Sequence, residues 1–336
     1  MDRTLLLVTG AGRSGTSTAA GALHHLGVHV PGPYLQANAS NPRGFYESRW
    51  SVEFHNKLLK RANVTLTDGR PEALSLMRSA VGESDEQRLA SFIAEATEGQ
   101  PVTVVKDPRT SWLLDVWASA ARSRGLRVAH LVMLRHPAEV LGSRATHYFA
   151  RSPWMGEAGF AVKNLAGWLN AMLNTDVQTR ERPRAFVRYD DLLSDWRTAL
   201  GRALPCLGID VSVPPGPHAV DEFIDPDLRR HRLTWADHDL PTDLTALADR
   251  VWEALDVLAD QPDATALAAL DAARADYADL YLAAQRLAFD STQAEAEAAR
   301  RKATQAARRD RDADGARDGT PSRPSVLNRL RFPKRG

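Results

Sequence analysis

The apolar positions of the chain fall in short runs separated by longer amphipathic stretches. Residues 4–9, TLLLVT, form a continuous β-rich run stopped by Gly10, the pattern of a strand buried on both faces. A helix is predicted from Thr16 to Leu26; Gly27 ends it, and Pro31, Gly32 and Pro33 turn the chain. Residues 35–47 read as a loop, and a helix follows from Ser48 to about Arg61 with Trp50, Phe54 and Leu58 on one face. PVTVVKDPR is a second buried-strand signal, ending at Lys106-Asp107-Pro108, with a helix carrying Trp112, Leu113 and Trp117 behind it. A third strand is predicted over 126–134 and a fourth begins at Arg184, passing into a helix from about Asp190. No internal repeat is visible. Strands alternating with helices predict an α/β fold with a central parallel sheet flanked by helices in three layers. Functional groups of such sheets gather at the carboxyl ends of the strands. Arg13, Lys106, Arg135 and Tyr189 all fall at or just beyond those ends.

From Asp263 the chain turns alanine-rich and reads as a long helix. It then passes into ARRDRDADGARDGTPSRP, which is too polar to bury a core and is expected to be disordered. The expected organisation is an α/β domain over 1–262, a helical extension over 263–310 and a basic tail over 311–336. Composition changes this picture in one respect. The net charge of +1 hides a split: from Arg300 onward there are 12 Lys/Arg against 4 Asp/Glu, and before it 31 against 38. A mildly acidic body argues against a broad grip on nucleic acid. The tail, where Val326, Leu327, Leu330 and Phe332 alternate with Arg and Lys, suits either solvent or an anionic membrane surface or acidic partner. Cys206, the only cysteine, can form no intramolecular disulfide and reads as a small buried apolar residue. No apolar run approaches the roughly 18 residues of a membrane span. The first strand leads directly into a glycine-rich turn and leaves no room for a signal peptide, so a cytoplasmic protein is expected.

That turn, Gly10-Ala11-Gly12-Arg13-Ser14-Gly15-Thr16-Ser17, nearly fits the phosphate-loop pattern G-x-x-x-x-G-K-[ST]. A glycine turn between a buried strand and a helix aims backbone N–H groups at one point, and the helix dipole favours an anion there. Gly12, Arg13, Ser14, Gly15, Thr16 and Ser17 are therefore the candidate anion-binding residues. The lysine of the pattern is replaced by Thr16, and a basic residue, Arg13, stands inside the loop instead. In phosphate-loop nucleotidases that lysine reaches the terminal phosphates while Mg²⁺ neutralises charge. A sulfuryl group carries less charge than a phosphoryl group and has less need of a metal.

At these residues the chain resembles a family. GAGRSGTST resembles the 5′-phosphosulfate loop of sulfotransferases that use 3′-phosphoadenosine 5′-phosphosulfate (PAPS), with Arg13 where many members carry lysine. VMLRHPAEVLGSR resembles their 3′-phosphate element, a strand ending in arginine (Arg135) with a serine (Ser143) eight residues later. VVKDPR, NPRGFYES, FVRYDDLLSD with LGID after it, and FIDPDLRRHR recur at matching relative positions, so the resemblance spans roughly residues 4–235. It implies a P-loop-like fold, PAPS as sulfuryl donor, a hydroxyl or amine of a small-molecule, glycan or glycolipid as acceptor, and no essential metal. It also implies charge stabilisation by Arg13 and Lys106. Two features depart from it. The cytosolic enzymes carry a catalytic histidine where this chain has Pro108, so the base comes from among Glu47, His55, Asp107, His136 and His147. An acid after the first helix, as in several members outside the cytosolic type, favours Glu47, with Phe45 and Tyr46 expected to desolvate it. The glycine-and-lysine segment that closes over the 3′-phosphate is also missing, and Arg229 and Arg230 are expected to replace it.

Two other readings stay open on sequence alone: an ATP-dependent kinase of a small metabolite, and a non-catalytic nucleotide-binding module. The acceptor pocket is expected from residues 33–80 and 145–165. Because the tail lacks core-forming composition, deleting residues 312–336 is expected to leave folding and nucleotide binding unchanged. Thermal unfolding of the truncated chain checks this, and loss of soluble protein would contradict it.

Overall fold

The computed structural model describes residues 3–38, 41–151, 155–225 and 234–318. Four strands, β1 (Thr4–Thr9), β2 (Val102–Lys106), β3 (Arg127–Leu134) and β4 (Arg184–Arg188), form one sheet in the order β2-β1-β3-β4. All three pairings are parallel, with Val8 opposite Lys106, Thr9 opposite Val132 and Leu134 opposite Arg188. The order explains the hydropathy. β1 has a strand on each side and helices on both faces, so all six of its residues are buried. A leucine or valine side chain so buried contributes roughly 1.5–3 kcal/mol.

Between β1 and β2 lie α1 (Thr16–His25), α2 (Arg49–Ala62), α3 (Ala73–Ser79) and α4 (Glu83–Ala96); α5 (Leu114–Arg122) follows β2. After β3 come α6 (Pro137–Tyr148) and α7 (Gly156–Thr179). Beyond β4 are α8 (Tyr189–Ser194), α9 (Trp196–Cys206), α10 (Ala219–Phe223), α11 (Thr242–Asp260), α12 (Ala264–Leu287) and α13 (Phe289–Asp318). Alternate residues of a strand face opposite ways. Leu6, Val8, Leu131 and Met133 pack under α1, α8 and α9. Leu5, Leu7 and Val105 face α2 through α5, while Val132, Leu134 and Phe186 face α7, α11 and α12. The result is the three-layer α/β arrangement expected from the sequence.

One compact unit runs from Met1 to Tyr281 and a second from Leu282 to Gly336. The boundary falls beyond residue 262, where composition placed it, because Ala266, Leu270, Ala273 and Tyr277 of α12 are buried in the core with α7 and α11. Within the second unit α13 runs helical to Asp318, into the stretch expected to be disordered. Its alanines and long charged side chains favour helix even without a core to bury. The tail over 319–336, with its membrane or acidic-partner expectation, lies outside the described residues. Among the described residues no helix is long and apolar enough to cross a membrane. Cys206 is exposed rather than buried, at the last position of α9.

The long helix α7 has no counterpart in the hydropathy pattern. It is buried nearly all round, and much of what it buries is polar: Asn164, Asn170, Asn174, Asp176 and Gln178. Asn170 donates to the carbonyls of Asp68 and Arg70, and Gln178 to that of Ser111, so the helix pins two loops. Asp176 has no exposure and binds Arg184 of β4 at 2.9 Å, with Arg180 on its other oxygen and Arg274 of α12 at 3.6 Å. Asp176→Ala leaves those cations without their shared counter-charge. Its expected cost is about 3–5 kcal/mol of unfolding free energy. Urea unfolding reads it, and a loss below about 1 kcal/mol would contradict the role assigned.

Candidate active site

The sheet order creates the site. The chain moves from β1 to one side and from β3 to the other, so a crevice opens between their carboxyl ends. The loops after β1 and β3 meet across it. Arg135 donates through Nη1 to the Arg13 carbonyl at 3.2 Å, and Arg13 donates through Nε to Ser143 Oγ at 3.0 Å. The first loop is built on backbone that ordinary residues avoid: Gly10, Arg13 and Gly15 all have positive φ. A Cβ on Gly10 would lie 2.6 Å from the Met133 carbonyl oxygen, and one on Gly15 would lie 2.1 Å from the Tyr189 ring. These glycines let the loop press on β3 and α8. Gly15 then caps α1 in a left-handed conformation with no side-chain cap, which leaves the first N–H groups of the helix for a ligand.

The loop opens into a cavity of about 460 Å³. Gly12, Arg13, Gly15, Thr16, Ser17, Glu47, Lys106, Arg135 and Ser143 all line it, so nearly every residue singled out from the sequence meets there. Ser14 is buried and is not part of that wall; its hydroxyl has no partner. Arg230, with Arg229, lies outside the described residues. Leu35, Asn38, Asn41 and Phe45 complete the wall from one expected acceptor segment, and His147 and Tyr148 from the other.

Five cationic side chains share this wall: Arg13, Lys106, Arg109, Arg135 and Arg144. Burial lowers the pKa of Arg13, with Arg135 adding to it, and Tyr148 works the other way. Burial holds Arg144 down to about 10, with Arg13 adding to the effect. Such a cluster favours an anion. Arg144, which the sequence gave no reason to choose, is held by Asn164 of the unrecognised α7 and stacks 5.3 Å from the Tyr148 ring. Arg135 has Nε on Glu139 at 3.0 Å, and Tyr189 under its guanidinium at 5.0 Å. Its Nη2 is buried without a partner. A fixed guanidinium with one unused donor, beside uncapped helix N–H groups, fits a nucleotide bearing phosphate or phosphosulfate groups. Tyr189 is structural, its ring filling the space over Gly15.

Lys106, only 2 % exposed, places Nζ 2.6 Å from Glu47 Oε1 and 2.9 Å from Ser17 Oγ. Glu47 Oε2 lies 3.4 Å from Arg109 Nη1. The environment expected for Glu47 is therefore corrected. Tyr46 turns its ring away, into a cluster with His24, Tyr34 and Phe223, and two cations surround the carboxylate. The other base candidates sort by geometry. His55 and Asp107 are wholly buried and bound to each other at 2.8 Å. His136 caps α6, accepting from the Ala138 N–H at 3.3 Å, and packs on Trp235 and Trp252. His147 lines the cavity.

The geometry places a cation-lined cavity at the switch point of a parallel α/β sheet. No family model matches the chain, and no curated protein matches it. Among solved structures it is similar to the sulfotransferase domain of the Synechococcus PCC 7002 olefin synthase: 16% identity, 74% of this chain and 94% of that one covered, TM-score 0.41. The sulfotransferase domain from the curacin biosynthetic pathway gives 16% identity over 76% and 98%, at TM-score 0.40. A sulfotransferase from Mycobacterium tuberculosis H37Rv gives 13% identity over 68% and 76%, at TM-score 0.37.

Gly15→Ala tests the loop. The added methyl meets Tyr189 and the left-handed cap is strained. Pyrophosphate affinity by calorimetry is expected to fall at least about tenfold, while circular dichroism keeps its helical signal. Unchanged affinity would show that the anion does not sit at this cap.

Proposed function

We propose that the chain is a sulfotransferase using PAPS as donor and a hydroxyl or amine of a small-molecule, glycan or glycolipid as acceptor. The observation that carries the reading is Arg135: it lines the cavity with Ser143, is fixed by Glu139 and the Arg13 carbonyl, and keeps a buried Nη2 without a partner. That donor suits a phosphate ester beyond the 5′ group, which ATP lacks. The six motifs in matching order support the same reading.

When bound, PAPS supplies the sulfuryl group: a bond from acceptor oxygen to sulfur forms as the bond from sulfur to the 5′-phosphate oxygen breaks, and 3′-phosphoadenosine 5′-phosphate (PAP) leaves with that electron pair. The first N–H groups of α1, with Gly12, Gly15, Thr16 and Ser17, hold the 5′ end. Arg135 and Ser143 take the 3′-phosphate, with Arg230 assigned from sequence alone. Lys106 and Arg13 offset charge on the oxygens around sulfur, an electrostatic contribution that is commonly large. Glu47 receives the acceptor proton. His55, Asp107 and His136 are committed to the core or to capping, which leaves His147 as the other base on the wall. A wall mixing Asn38, Asn41, Phe45 and Tyr148 suits a sugar or a phenol. A cytoplasmic setting belongs to the same proposal.

A kinase would place Mg²⁺ on the loop Ser/Thr. Here the ammonium of Lys106 sits 2.9 Å from Ser17 Oγ, where it would repel a divalent cation. The cations Arg13 and Lys106 on the wall also count against a non-catalytic module.

Titration calorimetry with PAP and with adenosine 5′-phosphate tests the donor. PAP is expected to bind far better, and Arg135→Ala to erase most of the preference, since a charge-assisted hydrogen bond contributes about 1.5–3 kcal/mol. Equal affinities in the unmodified protein would end the sulfotransferase reading in favour of the kinase.

A further inference from the structure

The His55–Asp107 pair is a buried ionisable pair next to the cavity that the reaction above leaves unused. Both side chains have no exposure. His55 Nδ1 lies 2.8 Å from Asp107 Oδ2, and the Trp117 indole donates from Nε1 to His55 Nε2 at 2.8 Å. An indole nitrogen can only donate. His55 Nε2 must therefore accept, so the ring is neutral with its hydrogen on Nδ1, and that hydrogen goes to Asp107. Protonating the ring would set an N–H against the indole N–H.

Asp107 passes the constraint on. Its Oδ1 accepts from the Arg109 backbone N–H and from Arg109 Nη1, both at 2.9 Å. Burial alone would raise the Asp107 pKa, but the hydrogen bond from the His55 ring and the charge and hydrogen bonds of Arg109 hold it below the ordinary carboxylate range. Arg109 Nε donates to Asn56 at 2.9 Å, so consecutive residues of α2 fix two edges of one guanidinium. The same Nη1 then meets Glu47 Oε2 at 3.4 Å.

Resting on the sulfotransferase reading, we infer that His55 is a positioning residue for the transfer: through Asp107 and Arg109 it fixes the orientation of the Glu47 carboxylate opposite Lys106. A buried imidazole and carboxylate are costly among apolar neighbours such as Phe54 and Trp117, and an apolar pair could fill the same space. What an apolar pair could not do is orient Arg109.

The test uses the full chain, with water as acceptor and release of labelled sulfate from PAPS as the rate. His55→Leu is expected to keep PAP affinity within about twofold and to lose roughly 10- to 100-fold in turnover, the scale of one lost hydrogen bond to a charged group. His55→Asn, whose amide nitrogen takes the place of Nδ1, is expected to recover most of it. Placed in a Glu47→Gln background, His55→Leu should add no further loss, because both changes act at one carboxylate. Unchanged turnover in His55→Leu would overturn the inference. So would losses that multiply in the double variant, since a general structural defect acts independently of Glu47. Should His55→Leu fail to fold, nitrogen-15 spectra of the unmodified protein at neutral pH decide: a single tautomer with hydrogen on Nδ1 is expected, and the opposite tautomer or a mixture of the two would overturn the relay. Failure of the unmodified protein to bind PAP sinks the sulfotransferase reading instead, and the spectra still report on the relay.

Discussion

Five cationic side chains share one cavity wall, and their mutual repulsion is the constraint around which the site is organised. In isolation they would splay into solvent. Each is tied back by a partner drawn from the framework: Arg135 by Glu139 and the Arg13 carbonyl, Arg13 by Ser143, Arg144 by Asn164, Lys106 by Glu47 and Ser17, Arg109 by Asp107 and Asn56. Most of these partners are neutral or shared, so the wall keeps a strong positive field. An anion entering it meets donors that need no reorganisation, the condition under which electrostatic stabilisation is most effective.

The missing lysine of the phosphate loop gains a structural explanation from this arrangement. A lysine at position 16 would reach the ligand from the loop itself. Here the ammonium arrives from the neighbouring strand, because β2 pairs with β1 so that Lys106 stands opposite Val8, just before the loop begins. Its hydrogen bond to Ser17 closes the distance. The cation is thus held by the sheet and shares its charge with Glu47.

Much of the frame was legible in the chain because its signals are local. The four buried runs and the proline and glycine stops depend on neighbours in sequence, Arg13, Lys106 and Arg135 were singled out by their place at strand ends, and Ser143 by its spacing from Arg135. α7 was not legible, since a helix buried all round with asparagine and glutamine on several sides has no amphipathic stripe to read. Arg144 went unnoticed for the same reason: its holder, Asn164, sits on that helix.

The sequence by itself determined the strand-helix alternation, the phosphate loop with its displaced basic residue, and the candidates at the sheet edge, all set by steric and hydrophobic rules acting over a few residues. Tertiary structure alone decided what each candidate does. Glu47, His55 and Asp107 were all contenders in the chain, with Glu47 favoured; only packing put His55 and Asp107 out of reach of solvent and Glu47 between two cations. A side chain's charge, access and partners come from residues 50 or more positions away, as Lys106 with Glu47 and His55 with Asp107 demonstrate. No local pattern encodes that proximity.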